Sequence, residues 1–247
     1  MSVRPLNPIT WIIPYYRNAP MLEIHIRNWE RYSDEVRSRL RIFLIDDCSP
    51  VDERPDELLR AAPESVRKMV RLFRILDDIK WNQHGARNLG ARLARKGWLL
   101  LTDMDRVMLN ADMLAMMRYK LKPSRYYKPI GVRMHPTLLV QDATKGPYNQ
   151  LLIHHDTFWL AGGYDEDYCG CYYGDRQFLE AVAKVAKFER ITSARMYRYS
   201  HHIVRGADTH DLDRSTDEGV RRRKDKEARG DVVPKNHIRF RWEEVKL

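Results

Sequence analysis

Cysteine is scarce in this chain, and two familiar targeting signals are missing from it. Among the 247 residues there are three cysteines, Cys48, Cys169 and Cys171. They fit no zinc spacing and leave an odd thiol, which argues against a disulfide framework and for a reducing compartment. No apolar run is long enough to span a bilayer, and Pro5 and Pro8 stand where a signal peptide would be apolar. We therefore expect a cytoplasmic protein with no transmembrane segment.

Acidic residues are outnumbered by basic ones. Lys and Arg total 44 against 34 for Asp and Glu, which gives a formal net charge of +10 at pH 7. This surplus favours an anionic partner, and nucleotide diphosphates, nucleic acid and acidic membrane surfaces all qualify. A basic surface that only keeps the protein soluble explains the charge equally well.

Short apolar runs alternate with helical patterns in the first half of the chain. This alternation predicts right-handed crossovers and a mostly parallel central sheet, with ligand sites beyond the carboxyl ends of the strands. The second half is less regular, and its polar stretch 206–230 predicts a mobile or charged helical appendage. We predict strands at 9–13, 41–45, 69–75, 98–102, 126–133, from 151 and at 237–242, and helices at 20–32, 85–95 and 176–186.

Three polar motifs stand where predicted strands end. They are Pro14–Asn18, the pair Asp46-Asp47, and Asp103-Met104-Asp105. Two carboxylates separated by one residue suit Mg²⁺ or Mn²⁺ carrying a diphosphate, because hard cations prefer oxygen ligands. Each motif also has a plainer explanation, in packing at a strand end, helix capping or a solvated turn. Their agreement in position favours a nucleotide-sugar site.

With these elements in order, the chain resembles the inverting glycosyltransferases of family 2 and their relatives of the GT-A fold. The similarity spans residues 9–202. The segment Gly162-Gly163-Tyr164-Asp165-Glu166, running on to Gly174-Asp175, looks like the acceptor module of galactosyltransferase-like members. Those members carry a Glu-Asp pair where this chain has Gly174-Asp175. The motifs that carry the resemblance are Pro14-Tyr15-Tyr16, Ile45–Ser49, Asn82–Gly90, Asp103–Asp105 and Gly162–Glu166.

The resemblance implies a Rossmann-like α/β fold of the GT-A type and a division of the chain. A glycosyltransferase domain would occupy residues 1–205, with its nucleotide-binding half at 1–110 and its acceptor half at 111–205. Residues 206–247 would form the basic C-terminal appendage, with a terminal strand. Oligomeric state is not predicted by any feature of the sequence.

The resemblance also implies a donor site. Pro14, Tyr15 and Asp47 would surround the base of a uridine diphosphate sugar, with Asp46 and Arg87 nearby. An aromatic ring can stack on a base, and a carboxylate can accept a hydrogen bond from uracil N3–H or from ribose. Asp103 would approach the ribose or the metal. Asp105 would bind Mn²⁺ or Mg²⁺ directly.

For the reaction itself, the resemblance places Asp175 as the general base, which takes the proton of the attacking acceptor hydroxyl. Asp165 and Glu166 are alternative bases, and Asp175 could instead cap the following helix. Relatives add a histidine to the metal site, and His202, with His201 as the alternative, is placed for that role. Adjacent side chains in an extended segment point to opposite sides, so one of the two at most is expected to coordinate.

The leading hypothesis is thus a metal-dependent inverting glycosyltransferase. Its acceptor could be hydroxymethylated DNA, where Lys and Arg would hold phosphates, or a glycan, lipid or protein. A nucleotidyltransferase would share the nucleotide-binding α/β half and the metal-binding aspartates. Its usual glycine-rich and basic loop is missing after the first strand of this chain. A non-catalytic nucleic-acid-binding protein using residues 221–229 is the alternative from another class.

Overall fold

In the computed structural model, a ten-stranded mixed sheet runs through the molecule. The structure describes residues 5–134, 139–141, 149–205, 207, 214–234 and 236–247. The order of neighbouring strands is β10-β3-β2-β1-β4-β8-β6-β9-β5, and β7 pairs with β6. The strands are β1 Ile9–Tyr15, β2 Leu40–Asp46, β3 Val70–Ile75, β4 Trp98–Leu101, β5 Arg106–Val107, β6 Arg125–Met134, β7 Leu139–Gln141, β8 Leu151–His154, β9 Lys187–Arg198 and β10 Trp242–Val245.

Nine α-helices in the described residues cover the two faces of the sheet. Apolar residues of β1 alternate between the faces, since Trp11 and Ile13 lie in one buried cluster and Ile12 in the other. The two clusters make the sheet a buried middle layer, as the apolar strands predicted. The helices are α1 Ala19–Glu30, α2 Asp34–Arg37, α3 Asp56–Ala61, α4 Glu64–Arg67, α5 Gln83–Ala94, α6 Asn110–Arg118, α7 His155–Leu160, α8 Gly174–Val185 and α9 Asp217–Ala228.

The strands in the first half of the chain pair mainly in parallel. β1 pairs in parallel with β2 on one side and with β4 on the other, and β2 pairs in parallel with β3. β8 is antiparallel to β4 and to β6. The prediction of an α/β sheet flanked by helices is therefore confirmed, whereas the sheet as a whole is mixed, with four parallel and five antiparallel strand pairs among the described residues.

For residues 206–230 we predicted a mobile or charged helical appendage, and a charged helix, α9, is present there. Residues 206 and 208–213 lie outside the described part of the chain. Helix α9 packs on the protein, and its Lys226 is 5% exposed. The terminal strand is 242–245, which pairs antiparallel with β3, and the prediction of a strand at 237–242 is wrong in position. The segment does not pair as a strand at Ile238 and Arg239, because their backbone N–H groups donate to the carboxylate of Glu166.

Among the described residues, none of the helices is both long and apolar enough to cross a bilayer.

Candidate active site

A cleft of about 300 Å³ opens at the carboxyl ends of the parallel strands. The register of β1 with β2 and β4 brings the three polar motifs to this edge. Predicted site residues and other residues together line the cleft. It is formed by Pro14, Tyr15, Tyr16, Asn18, Asp47, Trp81, Gln83, Asp103, Met104, Asp105, Arg106, Asn149, Tyr172, Asp175, Arg198, Ala207 and Arg214.

Asp47 lies at the end of the cleft nearest β1 and β2. Its Oδ2 accepts a hydrogen bond of 2.8 Å from the backbone N–H of Asn82, while its buried Oδ1 has no hydrogen-bond partner. Burial raises the pKa of this carboxyl to about 8, and the charge of Asp46 adds to the shift. Tyr15 stands beside it and donates through its hydroxyl to the carbonyl of Glu53 at 2.8 Å. This oxygen therefore receives no hydrogen bond from the described residues, although Asp47 lines the cleft.

The neighbouring Asp46 is not part of the cleft wall. Its side chain is fully buried, and its Oδ2 accepts from Arg74 Nε at 2.9 Å. Its Oδ1 accepts from the backbone N–H of Ser49 at 3.1 Å. Adjacent strand residues point to opposite faces, so one aspartate of the pair fixes the loop and the other meets the cleft.

Arg87 joins two predicted site residues from beneath the cleft. Its Nη1 donates to Asp175 Oδ1 at 2.6 Å and its Nη2 donates to Asp103. The guanidinium is 0% exposed and lies 5.1 Å from the ring centre of Tyr164. We predicted Arg87 as a nucleotide contact, and the structure instead places it as a support for two carboxylates. The carboxylates of Asp103 and Asp175 therefore lie within the span of one guanidinium.

The two carboxylate oxygens of Asp105 differ in their contacts. Its Oδ2 accepts from Arg198 Nε at 2.9 Å. Its Oδ1 is buried with no hydrogen-bond partner, and Arg106 Nε lies 3.5 Å away. Burial raises the pKa of Asp105, and the two arginines oppose that shift.

The donor set at Asp103 and Asp105 fits a hard cation shared with a ligand. Mg²⁺ and similar ions are commonly held by one or two carboxylates together with substrate phosphates, and Asp105 Oδ1, a carboxylate oxygen with no hydrogen-bond partner, has the chemistry of such a ligand. In the part of the chain that the structure describes, no three His, Cys, Asp or Glu side chains form a complete metal-binding group. His201 and His202 are both exposed and contact each other, with ring centres 3.8 Å apart. Their role as metal ligands stays a prediction.

Asp165 and Glu166, the alternative bases, are engaged elsewhere. Glu166 Oε1 accepts from Asn88 Nδ2 at 2.8 Å and from the backbone N–H of Ile238 at 2.7 Å. Asp165 Oδ2 lies 3.0 Å from Lys226 Nζ. Both carboxylates are buried against the C-terminal region, and neither contributes to the cleft wall. Asp175 is the candidate base that the cleft contains.

Gly174, which departs from the Glu-Asp pattern of similar proteins, has a packing explanation. A Cβ atom built at this position would lie 2.4 Å from the ring of His84. His84 is buried and stacked on Tyr164, with ring centres 5.3 Å apart. A glutamate at 174 would not fit beside this histidine, so the missing acid reflects how α8 begins.

Several cleft residues were not predicted from the sequence. Trp81 and Tyr172 contact each other in its wall, with ring centres 4.9 Å apart, and Asn149 donates to Asp103. Trp81 follows β3 and Tyr172 precedes Asp175, so a search of every strand end and of the tyrosine-rich loop would have found both. Arg198 lies on β9, for which the sequence analysis predicted no strand.

Comparisons with known proteins agree with the geometry. The sequence model described as glycosyl transferase family 2 matches residues 10–135, about half of the chain. The fold is similar to a crystal structure of GalNAc-T7 with UDP, GalNAc and Mn²⁺, at a TM-score of 0.59 and 14% identity, covering 78% of this chain and 44% of that one. It is also similar to the mannosyltransferase PcManGT of Pyrobaculum calidifontis in complex with GDP-Man and Mn²⁺, at a TM-score of 0.57 and 15% identity, covering 79% of this chain and 59% of that one.

The chain thus spans about half the length of these solved structures, and the likeness confirms the GT-A fold. No curated protein matches it.

Proposed function

Since this chain belongs to glycosyl transferase family 2, we propose that it moves a sugar from a nucleotide diphosphate to an acceptor hydroxyl with inversion, in the presence of Mn²⁺ or Mg²⁺. The observation that carries the proposal is the cleft itself. Its wall contains Asp47, Asp103, Asp105 and Asp175, and the guanidinium of Arg87 joins Asp103 to Asp175. Glycosyl transfer needs a pocket for the nucleotide base, ligands for a cation and a carboxylate that accepts a proton, and the proposal assigns these carboxylates to the three tasks.

The donor is a uridine diphosphate sugar. The unpartnered Oδ1 of Asp47 suits the N3–H of uracil, and the rings of Tyr15 and Tyr16, together with Pro14, form the neighbouring wall. The two similar solved structures contain UDP and GDP-Man, so both carriers occur among proteins of similar fold. A guanine base also presents N–H donors, and comparing UDP-sugars with GDP-sugars tests this part of the proposal.

The cation would be held by Asp103 and Asp105, with His202 or His201 as a further ligand. When bound, it neutralises charge on the departing diphosphate. Arg198 and Arg106 already hold Asp105 in place, so the protein fixes this ligand without a cation.

Asp175 serves as the general base. Its carboxylate takes the proton of the acceptor hydroxyl as that oxygen bonds to the anomeric carbon, and the bond from that carbon to the diphosphate oxygen breaks. The nucleoside diphosphate leaves from the opposite side, which inverts the carbon. Arg87 orients Asp175 through the 2.6 Å contact between its Nη1 and Asp175 Oδ1.

The acceptor carries a hydroxyl, and four classes of molecule could supply it. Hydroxymethylated DNA follows from the net charge, while glycans, lipids and proteins are equally compatible with the cleft. Family membership favours glycosyl transfer over nucleotidyl transfer and over DNA binding without catalysis.

Release of nucleoside diphosphate tests the proposal. We expect the protein with Mn²⁺ to release UDP from at least one nucleotide sugar in the presence of acceptors that include hydroxymethylated DNA. Asp105→Asn should abolish release, and Asp175→Asn should keep donor binding but lower turnover by about 10²–10⁴-fold. Asp52→Asn, on an exposed loop, is the matched control and should behave as wild type.

Pyrophosphate as the product would favour a nucleotidyltransferase. Loss of donor binding in Asp175→Asn would overturn its role as the base. DNA binding that Asp105→Asn leaves unchanged, with no transfer from any donor, would contradict the enzyme proposal.

A further inference from the structure

The end of the molecule opposite the cleft is formed by the amino ends of the parallel strands. Ile9, which begins β1, pairs with Leu40 at the start of β2 and with Trp98 at the start of β4. Arg125 and Lys187, which begin β6 and β9, pair with each other. The residues just before these strands therefore lie together at one end of the sheet.

Basic residues occupy this end strand by strand. Each of the parallel strands β2, β3, β4, β6 and β9 is preceded by, or begins with, exposed Lys or Arg side chains. We call this surface the basic end. It consists of Arg39 before β2, Arg67 and Lys68 before β3, Arg95 and Lys96 before β4, Lys120 and Lys122 before β6, and Lys184 and Lys187 at β9.

Most of these charges are not neutralised by neighbours. Lys68 pairs with Glu64 at 2.7 Å. Within the described residues, the other members of the basic end form no ion pair, and most of them are lysines. Lysine acts as a hydrated point charge, whereas arginine is preferred where single phosphates are gripped by two parallel hydrogen bonds. A partner whose negative charge is spread over a surface therefore fits the basic end better than a ligand whose phosphates are bound one by one.

The width of the basic end also favours a partner whose negative charge is spread over a surface. It crosses the strands β3, β2, β1, β4, β8, β6 and β9, which at the usual strand spacing is about 30 Å. This width exceeds the Debye length of about 8 Å at physiological salt, so distant charges need separate anions across a broad surface. Phe188, beside Lys187, is 42% exposed and adds an apolar ring at its margin.

From charge, breadth and lysine content together, we propose that the basic end docks on an anionic lipid bilayer. The cleft lies at the opposite end of the strands and would face away from the lipid, open to an acceptor in solution or on a neighbouring surface. Each Lys or Arg near such a surface strengthens binding by about fivefold. This inference does not depend on the proposed transfer reaction.

Vesicle sedimentation with the full chain tests the proposal. We expect binding to vesicles of equal parts phosphatidylserine and phosphatidylcholine, weakening with added salt, and no binding to phosphatidylcholine alone. The triple variant K120Q/K122Q/K187Q should bind the acidic vesicles on the order of 100-fold more weakly. The matched control R221Q/K224Q/R229Q removes the same charge from α9 and from Arg229, the residue that follows it, and should bind as wild type.

Circular dichroism and UDP release from donor sugar serve as checks that the variants are folded, since none of these residues contributes to the cleft. Equal weakening by the two triple variants would overturn the proposal, because net charge alone would then explain binding. Absence of vesicle binding would overturn it too. Binding of duplex DNA or RNA in preference to acidic vesicles, lost in K120Q/K122Q/K187Q, would replace the bilayer with nucleic acid.

Discussion

Asp47 combines an unpartnered oxygen with a pKa raised by burial to about 8, although it lies next to an aspartate that is fully paired. Proximity in sequence therefore says little about role. The pattern Asp46-Asp47 predicted both residues near the base, whereas strand alternation gives one carboxylate to Arg74 and the other to the cleft.

The raised pKa of Asp47 predicts a pH-dependent donor affinity. Below about pH 8 the free protein holds this carboxyl protonated, and a base N–H binds more strongly to the carboxylate than to the neutral acid. UDP affinity should therefore rise by up to tenfold per pH unit towards pH 8 and level off above it. Calorimetric titration across this range measures the slope.

The matched variant is Asp47→Asn, which cannot ionise. It should bind UDP with an affinity that no longer changes over the same pH range. A wild-type affinity that is flat with pH would contradict the role of Asp47 in binding the base.

Gly174 predicts a double-mutant cycle with His84. Gly174→Ala should destabilise the protein by about 1–3 kcal/mol, because the new methyl group lies 2.4 Å from a buried ring. In a His84→Ala background the clash disappears, and alanine should then stabilise the helix by up to about 1 kcal/mol. Urea unfolding of the four proteins gives the cycle, and a stabilising Gly174→Ala in the wild-type background would refute this explanation.

At the scale of elements, the loop 162–175 and helix α9 form one unit. Arg222 of α9 donates to the carbonyls of Asp167 and Cys169, at 2.6 and 3.0 Å. Arg223 donates to Tyr173 Oη at 2.7 Å. The polar composition of α9 predicted an unattached helix, because a helix that packs through ion pairs has no apolar stripe to reveal the contact.

Lys226 tests the importance of this unit. Its Nζ lies 3.0 Å from Asp165 and 2.5 Å from Asp167, and the lysine side chain is 6% exposed. Lys226→Met should cost about 3 kcal/mol in the free energy of unfolding, because it leaves the carboxylate of Asp165 buried without its cation. Denaturant unfolding measures this loss. Lys224→Met, on the exposed side of the same helix, should change stability by less than about 0.5 kcal/mol, and equal effects would contradict the assignment.

At the scale of the whole molecule, ligand binding should raise the free energy of unfolding. UDP with Mn²⁺ at about 100 times the dissociation constant should add about 2.7 kcal/mol to the free energy of unfolding, and thermal denaturation would show a higher midpoint. Chelation of the metal, or Asp105→Asn, should remove the metal-dependent part of the increase. A metal-dependent increase that persists in Asp105→Asn would show that Asp105 does not bind the metal.

The fold was predictable to the extent that its strands are buried on both faces. The apolar runs at β1, β2 and β4 were predicted within a few residues, because a strand in the middle of a sheet shows nearly continuous apolar sequence. β9 was missed because its pairing with β6 changes register between Pro129 and Ile130, which breaks the two-residue period. Asp105 and Asp175 were predicted from motifs, whereas Arg87 required the fold to show which carboxylates it reaches.

The unit of loop 162–175 and α9 has a consequence for the timing of synthesis. The carboxylates of Asp165 and Glu166 are made before Lys226 and Arg239, and a growing chain adds about 5–20 residues per second. Until residues 217–241 leave the ribosome, the loop lacks the cations that hold it. We therefore expect the loop 162–175 to reach its final position only after these residues have been made, later than the central strands.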